Sequence, residues 1–434
     1  MAMMRPNIVY IHSHDTGRYV QPYGHAIATP NIQRLASQGA LFRQAFCAAP
    51  TCSPSRAALL TGQCPHSAGM LGLAHRGFSL RDTRQHVIHA LHAAGYASAM
   101  TGRQHVSADP GTLGYHRIYT TSSDAAEISA GALESLSKPP HQPFFLSVGY
   151  QETHRRFHAP SVQEDGRYCL PPGPLPDCPA VREDMAAFKA SARVFDDQVG
   201  KVLAALDASG LADGTLVICT TDHGIAFPFM KCNLTDHGIG VMLIMRGPGG
   251  FAGGKVLDGM VSQIDIFPTL CELLRIDRPA WLQGRSILPL IDGRSERIND
   301  EIFAEVTYHA AYEPMRAVRT QRWKYIRRYE PRAGPVLSNI DASPSKDALL
   351  ECGMAASPPA AEQLYDLVFD PSEASNLVSD ASRASVLADM RRRLDDWMRR
   401  TDDPLLRGPV PAPSGAKITD SDSPSPEIDV RVVP

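Results

Sequence analysis

Residues 50–62 read PTCSPSRAALLTG, which places Cys52 two residues before Pro54 and four before Arg56. Pro54 is expected to set a turn, and residues 55–60 have the composition of a helix start. Cys52 then falls at or just before a helix N-terminus, where the backbone N–H groups and the dipole favour an anion. Arg56 lies one turn along and can point back to it. The chemistry on offer is a cysteine in an anion-binding pocket, whereas each of the other eight cysteines is expected to be a small buried hydrophobe. Four further segments place carboxylates, imidazoles or cations just past short apolar runs: His14-Asp15, Arg103-Gln104-His105, Glu152-Thr153-His154 and Asp222-His223. Open α/β sheets hold their ligands at such strand ends. Lys231 follows the last of them. Taken singly, each cation reads as a solvated surface group, so the weight rests on the set.

The elements that must position these residues follow from periodicity. Short apolar runs at 7–11, 96–100, 143–149, 215–220 and 241–245 alternate with helical patterns at 84–94, 182–209 and 264–274. Thr29-Pro30 opens one more helix as N-cap and first residue, ending at Gly39. This alternation predicts an α/β fold with a mainly parallel sheet covered by helices. Near residue 300 the character changes. Residues 301–307 and 315–328 suggest strands of a smaller sheet, and residues 384–400 form a charged helix with Leu387, Met390, Leu394 and Trp397 on one face. Residues 404–434 hold seven prolines and read as an extended tail, either disordered or clasping another subunit. The expected division is a catalytic α/β domain over 1–300, a smaller α+β domain over 301–403, and the Pro-rich tail.

Composition narrows the function classes. The chain has 434 residues, with 43 Lys+Arg against 46 Asp+Glu and a net charge of −3. That balance argues against nucleic acid or an anionic membrane as the main partner. No stretch approaches the roughly 18 apolar residues of a membrane span. Nine cysteines, scattered and odd in number, suit a reducing compartment, and with no signal-peptide pattern at the N-terminus the expected address is cytoplasmic.

The segment Cys-x-Pro-x-Arg followed by Leu-Thr-Gly resembles the signature of the formylglycine-dependent sulfatases, in the alkaline phosphatase superfamily. Arg5-Pro6-Asn7-Ile8-Val9, Ala28-Thr29-Pro30-Asn31 and residues 37–46 are similar to that family's lead-in. Residues 69–76 and the later motif order most resemble the heparan N-sulfatase (sulfamidase) branch. The resemblance runs from residue 5 to about 400 and implies an alkaline phosphatase-like catalytic domain. It also implies that Cys52 is oxidised to formylglycine by a separate generating enzyme. The hydrated aldehyde would attack sulfur with one hydroxyl and expel sulfate with the other. A divalent cation is implied, held by His14, Asp15, residue 52, Asp222 and His223. His14 and His223 stand where the family has Asp and Asn. Calcium follows from the family, while the two imidazoles admit manganese or zinc.

By the same resemblance, Arg56, Arg103, His105, His154 and Lys231 would serve catalysis and sulfuryl binding. Glu152 would touch substrate. His75 and Arg76 fall in a loop within reach of the substrate, and Glu305, Tyr308, His309 and Arg316 lie near the expected domain junction, where clefts form. His12 is expected to be packed or hydrogen-bonded, and His66, 86, 89, 92, 116, 141 and 158 to be structural or exposed. The implied partner is a small sulfated substrate, with homo-oligomerisation left open. Two other readings stand beside this one: a phosphodiesterase or phosphonate monoester hydrolase on the same scaffold, and a non-catalytic anion- or sugar-binding protein.

Overall fold

The computed structural model describes residues 5–139 and 141–434. Its central strand, β1 (Asn7–Ser13), is buried along its whole length. The run Asn-Ile-Val-Tyr-Ile can be apolar on both faces because helices cover both. Ile8 and Tyr10 enter one core with Val87, Ile88, Leu91, Phe267 and Leu270. Val9 and Ile11 enter the other with Ile32, Leu35, Ile128, Phe195 and Val199. The remaining strands of this half are β2 (Ala40–Phe42), β3 (Ala45–Phe46), β4 (Ala97–Gly102), β5 (Arg117–Ile118) and β6 (Phe144–Gly149). They are followed by β7 (Thr215–Thr221), β8 (Leu243–Arg246), β9 (Lys255–Leu257) and β10 (Val261–Ser262). Eight of them form one sheet in the order β5-β4-β6-β1-β7-β8-β2-β9, and β3 pairs with β10. The pairings from β5 to β7 are parallel. β8 runs antiparallel to both β7 and β2. The four neighbours β4, β6, β1 and β7 therefore all end on one edge.

The second sheet is antiparallel: β11 (Glu301–Tyr308), β12 (Tyr312–Thr320), β13 (Trp323–Arg328) and β14 (Glu362–Asp366). The segment 315–328 is thus split between two strands. Helix Ala384–Arg400 buries Leu387, Met390, Leu394 and Trp397 against Val318, Tyr325 and Leu364, as its periodicity predicted.

One local expectation holds in position but not in bonding, and one is corrected. Thr29 holds the N-cap position of helix Pro30–Gln38, but its side chain makes no cap bond. Asp196, from the long helix Pro179–Ala208, accepts from the N–H groups of Asn31 and Ile32 instead. Residues 404–434 do not extend away from the chain. Strands β15 (Lys417–Thr419) and β16 (Val430–Val432) pair as a hairpin, and Thr419 donates to the Ala310 carbonyl at 2.9 Å. Prolines lack an N–H but keep a carbonyl, and buried donors use those carbonyls. Arg76 donates to Pro426 O at 2.8 Å, and Lys346 to Pro424 O at 2.9 Å. Among the described residues no helix is long and apolar enough to cross a membrane.

Candidate active site

Helix Cys52–Thr61 starts three residues earlier than the composition suggested, with Thr51 at the N-cap and Pro54 inside the first turn. Proline is tolerated there because first-turn N–H groups have no intrahelical acceptor. Cys52 is buried, with its sulfur 3.3 Å from His223 Nε2 and 3.9 Å from Asp15 Oδ1. Burial pushes its thiol well up, with Lys231 and Arg56 opposing only in part. An unmodified thiol at this position stays protonated at neutral pH.

The ends of β1 and β7 bring two carboxylates to this sulfur. Asp15 takes a left-handed backbone (φ 53°), which aspartate tolerates better than most residues, and its N–H donates to Asp222 Oδ1 at 2.8 Å. His14, Asp15, Cys52 and Asp222 present donor atoms that all lie within 4.8 Å of one another. His14 Nδ1 lies 3.3 Å from Asp222 Oδ2, yet neither ring nitrogen makes a hydrogen bond among the described residues. His223 Nδ1 faces the Gly224 carbonyl at 2.9 Å. A carbonyl only accepts, so that nitrogen carries the proton, and Nε2 is left 3.3 Å from Asp15 Oδ1. Two imidazoles, one of them orphaned, and two carboxylates crowded together fit a divalent cation by their chemistry. The charge state agrees. Burial alone would raise Asp222, but His223, Arg56 and His14 hold it well below the usual carboxylate range.

Arg56 sits behind this set rather than facing outward. Its Nη2 donates to Ser13 O at 2.7 Å and to Asp222 Oδ2 at 3.0 Å, while Nη1 meets His12 Nδ1 at 2.5 Å. An arginine only donates, so His12 accepts and is neutral. Burial, then Arg56, pushes that imidazole well down. His12 is a bonded histidine, as strand alternation implied.

Lys231 Nζ lies 2.9 Å from Asp15 Oδ2 and 3.0 Å from Asp341 Oδ2. Burial opposes its charge, but the two aspartates hold the amine well above its ordinary value. Asp341 is a residue the sequence did not single out. No motif marks it, since it follows the single turn Leu337–Asn339, and only tertiary packing brings it here. His309 is buried with Nδ1 unpartnered among the described residues, and burial followed by Lys231 pushes it down to about 3.

β4 and β6 complete the pit. His105 and His75 stack with ring centroids 5.1 Å apart and bond Nε2 to Nδ1 at 2.9 Å. His105 and His154 lie 5.7 and 5.8 Å from the His14 ring. His154 Nδ1 donates to the Arg155 carbonyl at 2.5 Å, leaving Nε2 4.0 Å from Asp15 Oδ2. Glu152 accepts the His14 N–H through its own carbonyl at 2.9 Å, while its side chain pairs with His158. The half-buried Arg103 keeps Nε free of partners among the described residues. Exposure rises from 0% at Asp15 and His223 to 29% for the His154 side chain. The site is therefore a pit with a buried floor and a rim that includes the exposed His75.

The structure does not bring Arg76, Glu305, Tyr308 and Arg316 into the pit. Arg76 bonds Thr419 and Pro426 of the C-terminal hairpin. Tyr308 donates to Val410 O. Glu305 and Arg316 pair with each other, with His66 and with Asp403. Gln263, also unforeseen, ties Thr221 O to Ser55, whose hydroxyl in turn donates to Asp222 O at 2.6 Å.

Comparison with known proteins agrees with this geometry. A family model described as Sulfatase matches residues 6–276. One described as N-sulphoglucosamine sulphohydrolase, C-terminal, matches residues 223–346. Human N-sulphoglucosamine sulphohydrolase is 29% identical, with 88% of each chain covered. An ulvan-active sulfatase of Formosa agariphila is 25% identical over 91% of this chain and 75% of its own. A solved 2-O GAG sulfatase shares the fold at a TM-score of 0.74 and 22% identity, covering 94% of this chain and 95% of that one. With the cysteine motif at the strand-end pit and the Sulfatase model spanning well over half its length, the chain belongs to the sulfatase family.

Proposed function

We propose that this hydrolase removes the sulfuryl group of a small sulfated amino sugar, as a sulfamate or sulfate ester, using formylglycine at position 52 and a divalent cation. The observation that carries the reading is Cys52 at a helix N-terminus beside a buried donor set in which both His14 nitrogens are orphaned. The amino-sugar assignment draws on the likeness to N-sulphoglucosamine sulphohydrolase in both halves of the chain. The burial of the site, where exposure reaches only 29% at the His154 side chain, favours a small group at its floor.

His14, Asp15, Asp222 and His223 would hold the cation together with residue 52. Bound there, a cation would polarise the sulfuryl group, and formylglycine at position 52 would offer a hydrated aldehyde whose second hydroxyl would let sulfate leave. Arg56 is a positioning residue that fixes Asp222 and neutralises it from behind. Lys231, held cationic between Asp15 and Asp341, and Arg103, whose buried Nε lacks a partner among the described residues, would offset charge on the sulfuryl oxygens. His154 keeps its Nδ1 proton on the Arg155 carbonyl; as imidazolium it delivers a proton from Nε2 to the leaving nitrogen or oxygen. Glu152, His75, His105 and His309 line the approach to it.

Mass spectrometry of the peptide spanning residue 52, paired with turnover of N-sulfated and O-sulfated glucosamine, tests this. The aldehyde mass with sulfamate or ester turnover is expected, and elemental analysis then separates calcium from manganese or zinc. Fully active protein with an intact thiol at 52 would sink the mechanism. A kcat/KM for phosphonate monoesters above that for both sulfated sugars would assign the site to that chemistry instead.

A further inference from the structure

Outside the pit, Cys64, His66 and Glu305 offer donor atoms within 4.8 Å of one another. Cys64 Sγ lies 3.4 Å from His66 Nε2 and 3.1 Å from Ser67 Oγ. The far ring nitrogen, His66 Nδ1, lies 2.9 Å from Glu305 Oε2, and the His66 N–H donates to Glu305 Oε1 at 2.8 Å. The histidine is thus clamped at both ends with one nitrogen on a carboxylate and the other on a sulfur. Trp397 packs edge-on against its ring, with centroids 5.3 Å apart.

The surrounding charges fix the state of this imidazole. Asp403 Oδ2 lies 3.8 Å from His66 Nδ1, and Arg316 bridges Glu305 and Asp403 at 3.1 and 2.6 Å. Arg81 touches the His66 carbonyl, and Asp402 lies in the same surroundings. Two buried carboxylates against one buried guanidinium leave one negative charge over, and an imidazolium at His66 completes the balance. An imidazolium N–H beside a sulfur is the kind of partner a nucleophilic thiol uses. Burial opposes this charge, but Glu305 and Cys64 hold His66 well above its ordinary value. Cys64, itself buried, lines a cavity of about 290 Å³ with Ala48, Asp265, Asn299, Trp397 and Arg400, which brings space for a small reagent next to this residue. Arg316 already occupies the Glu305 oxygen that a metal would need, which points to thiol chemistry.

We propose that Cys64, His66 and Glu305 form a reactive-thiol site, distinct from Cys52, that takes small soft electrophiles and hydroperoxides. With a hydroperoxide, Cys64 Sγ attacks the terminal oxygen, the S–O bond forms and the O–O bond breaks. Sulfur loses two electrons and the peroxide gains them. The departing alkoxide or hydroxide takes the proton from His66 Nε2, leaving a sulfenic acid and a neutral imidazole. The product loses the positive charge that Glu305 and Asp403 both face. The other buried thiols lack this help: burial pushes Cys219 up to about 12 and Cys271 to about 11.

The test uses the full chain after a chelator wash, with limited iodoacetamide and site-by-site mass spectrometry. The exposed Cys352 serves as the internal reference. Cys64 is expected to alkylate about tenfold faster than Cys352 near pH 6.5 and to change less than about twofold up to pH 8. Peroxide followed by dimedone should leave its adduct on Cys64. His66→Gln should slow alkylation of Cys64 about tenfold. A Cys64 no faster than Cys352, or an unchanged rate in H66Q, overturns the proposal. If H66Q does not fold, the wild-type pH profile decides: a Cys64 rate climbing about tenfold per pH unit is that of an ordinary thiol and overturns it equally.

Discussion

The pit and the cluster around Arg316 use the same kinds of side chain to opposite ends. Both are buried and both set carboxylates against basic groups and histidines. In the cluster every such group is spoken for. Arg316 donates to both Asp403 oxygens and to the Val306 and Met315 carbonyls, while Glu305 takes the His66 backbone and ring. In the pit, both His14 nitrogens, His105 Nδ1, His309 Nδ1, Glu152 Oε2 and Arg103 Nε lack hydrogen-bond partners among the described residues. Buried polar groups are normally paired, so a concentration of unpaired ones marks a place built for something other than the fold. Complete charge clusters hold the chain together, and incomplete ones hold a ligand.

This contrast is broken most directly by removing one charge from each region. Asp15→Asn should lower kcat/KM by on the order of a thousandfold, the scale of losing a preorganised electrostatic contact. Any fall in melting temperature should be small, because Asp15 is crowded by a second carboxylate and Lys231 keeps Asp341 as its partner. A large loss of stability would mean that the pit is structural after all. Arg316→Met should do the reverse. It leaves Glu305 and Asp403 with His66 alone, and breaking a buried ion network costs about 3–5 kcal/mol. Urea unfolding should show that loss, while kcat per folded molecule stays within about twofold of wild type.

How much of this was legible in the sequence follows from what kind of order is local. Strand ends and helix starts are local, so the segments at 14–15, 103–105, 152–154 and 222–223 could be placed past strands from apolar runs, and 52–56 at a helix start from its composition. The helix at 384–400 was legible for the same reason, its period being that of its buried face. Asp341 was not, because an aspartate in irregular chain carries no signal until Lys231 is beside it. The same limit misplaced Arg316 and Glu305: nearness to a domain junction says nothing about which way a side chain faces. Arg56 was found by its motif, but its partners Asp222 and His12 come from strands far away in sequence. The tail was misjudged because its prolines signal the loss of N–H donors and not the value of their carbonyls to Arg76 and Lys346.

Arg76 sharpens the comparison at the boundary between the two regions. It is one residue from His75, on the rim, yet its two bonds go to Thr419 and Pro426. Arg76→Ala should cost roughly 2 kcal/mol, as expected for losing charge-assisted bonds to a packed segment. Its KM should stay near the wild-type value. A rise in KM with unchanged stability would return Arg76 to the substrate side.

The smallest effect separates the regions by pH. His309, in the pit, is pushed down to about 3 by burial and Lys231, so the folded protein cannot take a proton that the unfolded chain binds near its ordinary value. Its contribution is present above about pH 6.5 and is lost as the pH falls from there toward 3. His66, in the cluster, is held well above its ordinary value by Glu305 and Cys64 against burial. Its contribution is full below about pH 6.5 and is lost as the pH rises through its folded value. Each proton can tilt stability by at most about 1.4 kcal/mol per pH unit. Urea midpoints measured from about pH 5 to pH 9 should therefore show His309→Gln flattening only the acid limb and His66→Gln only the alkaline limb. Equal slopes in both variants and wild type would mean that neither histidine differs in charge between folded and unfolded chains, and the electrostatic contrast between pit and cluster would fall with them.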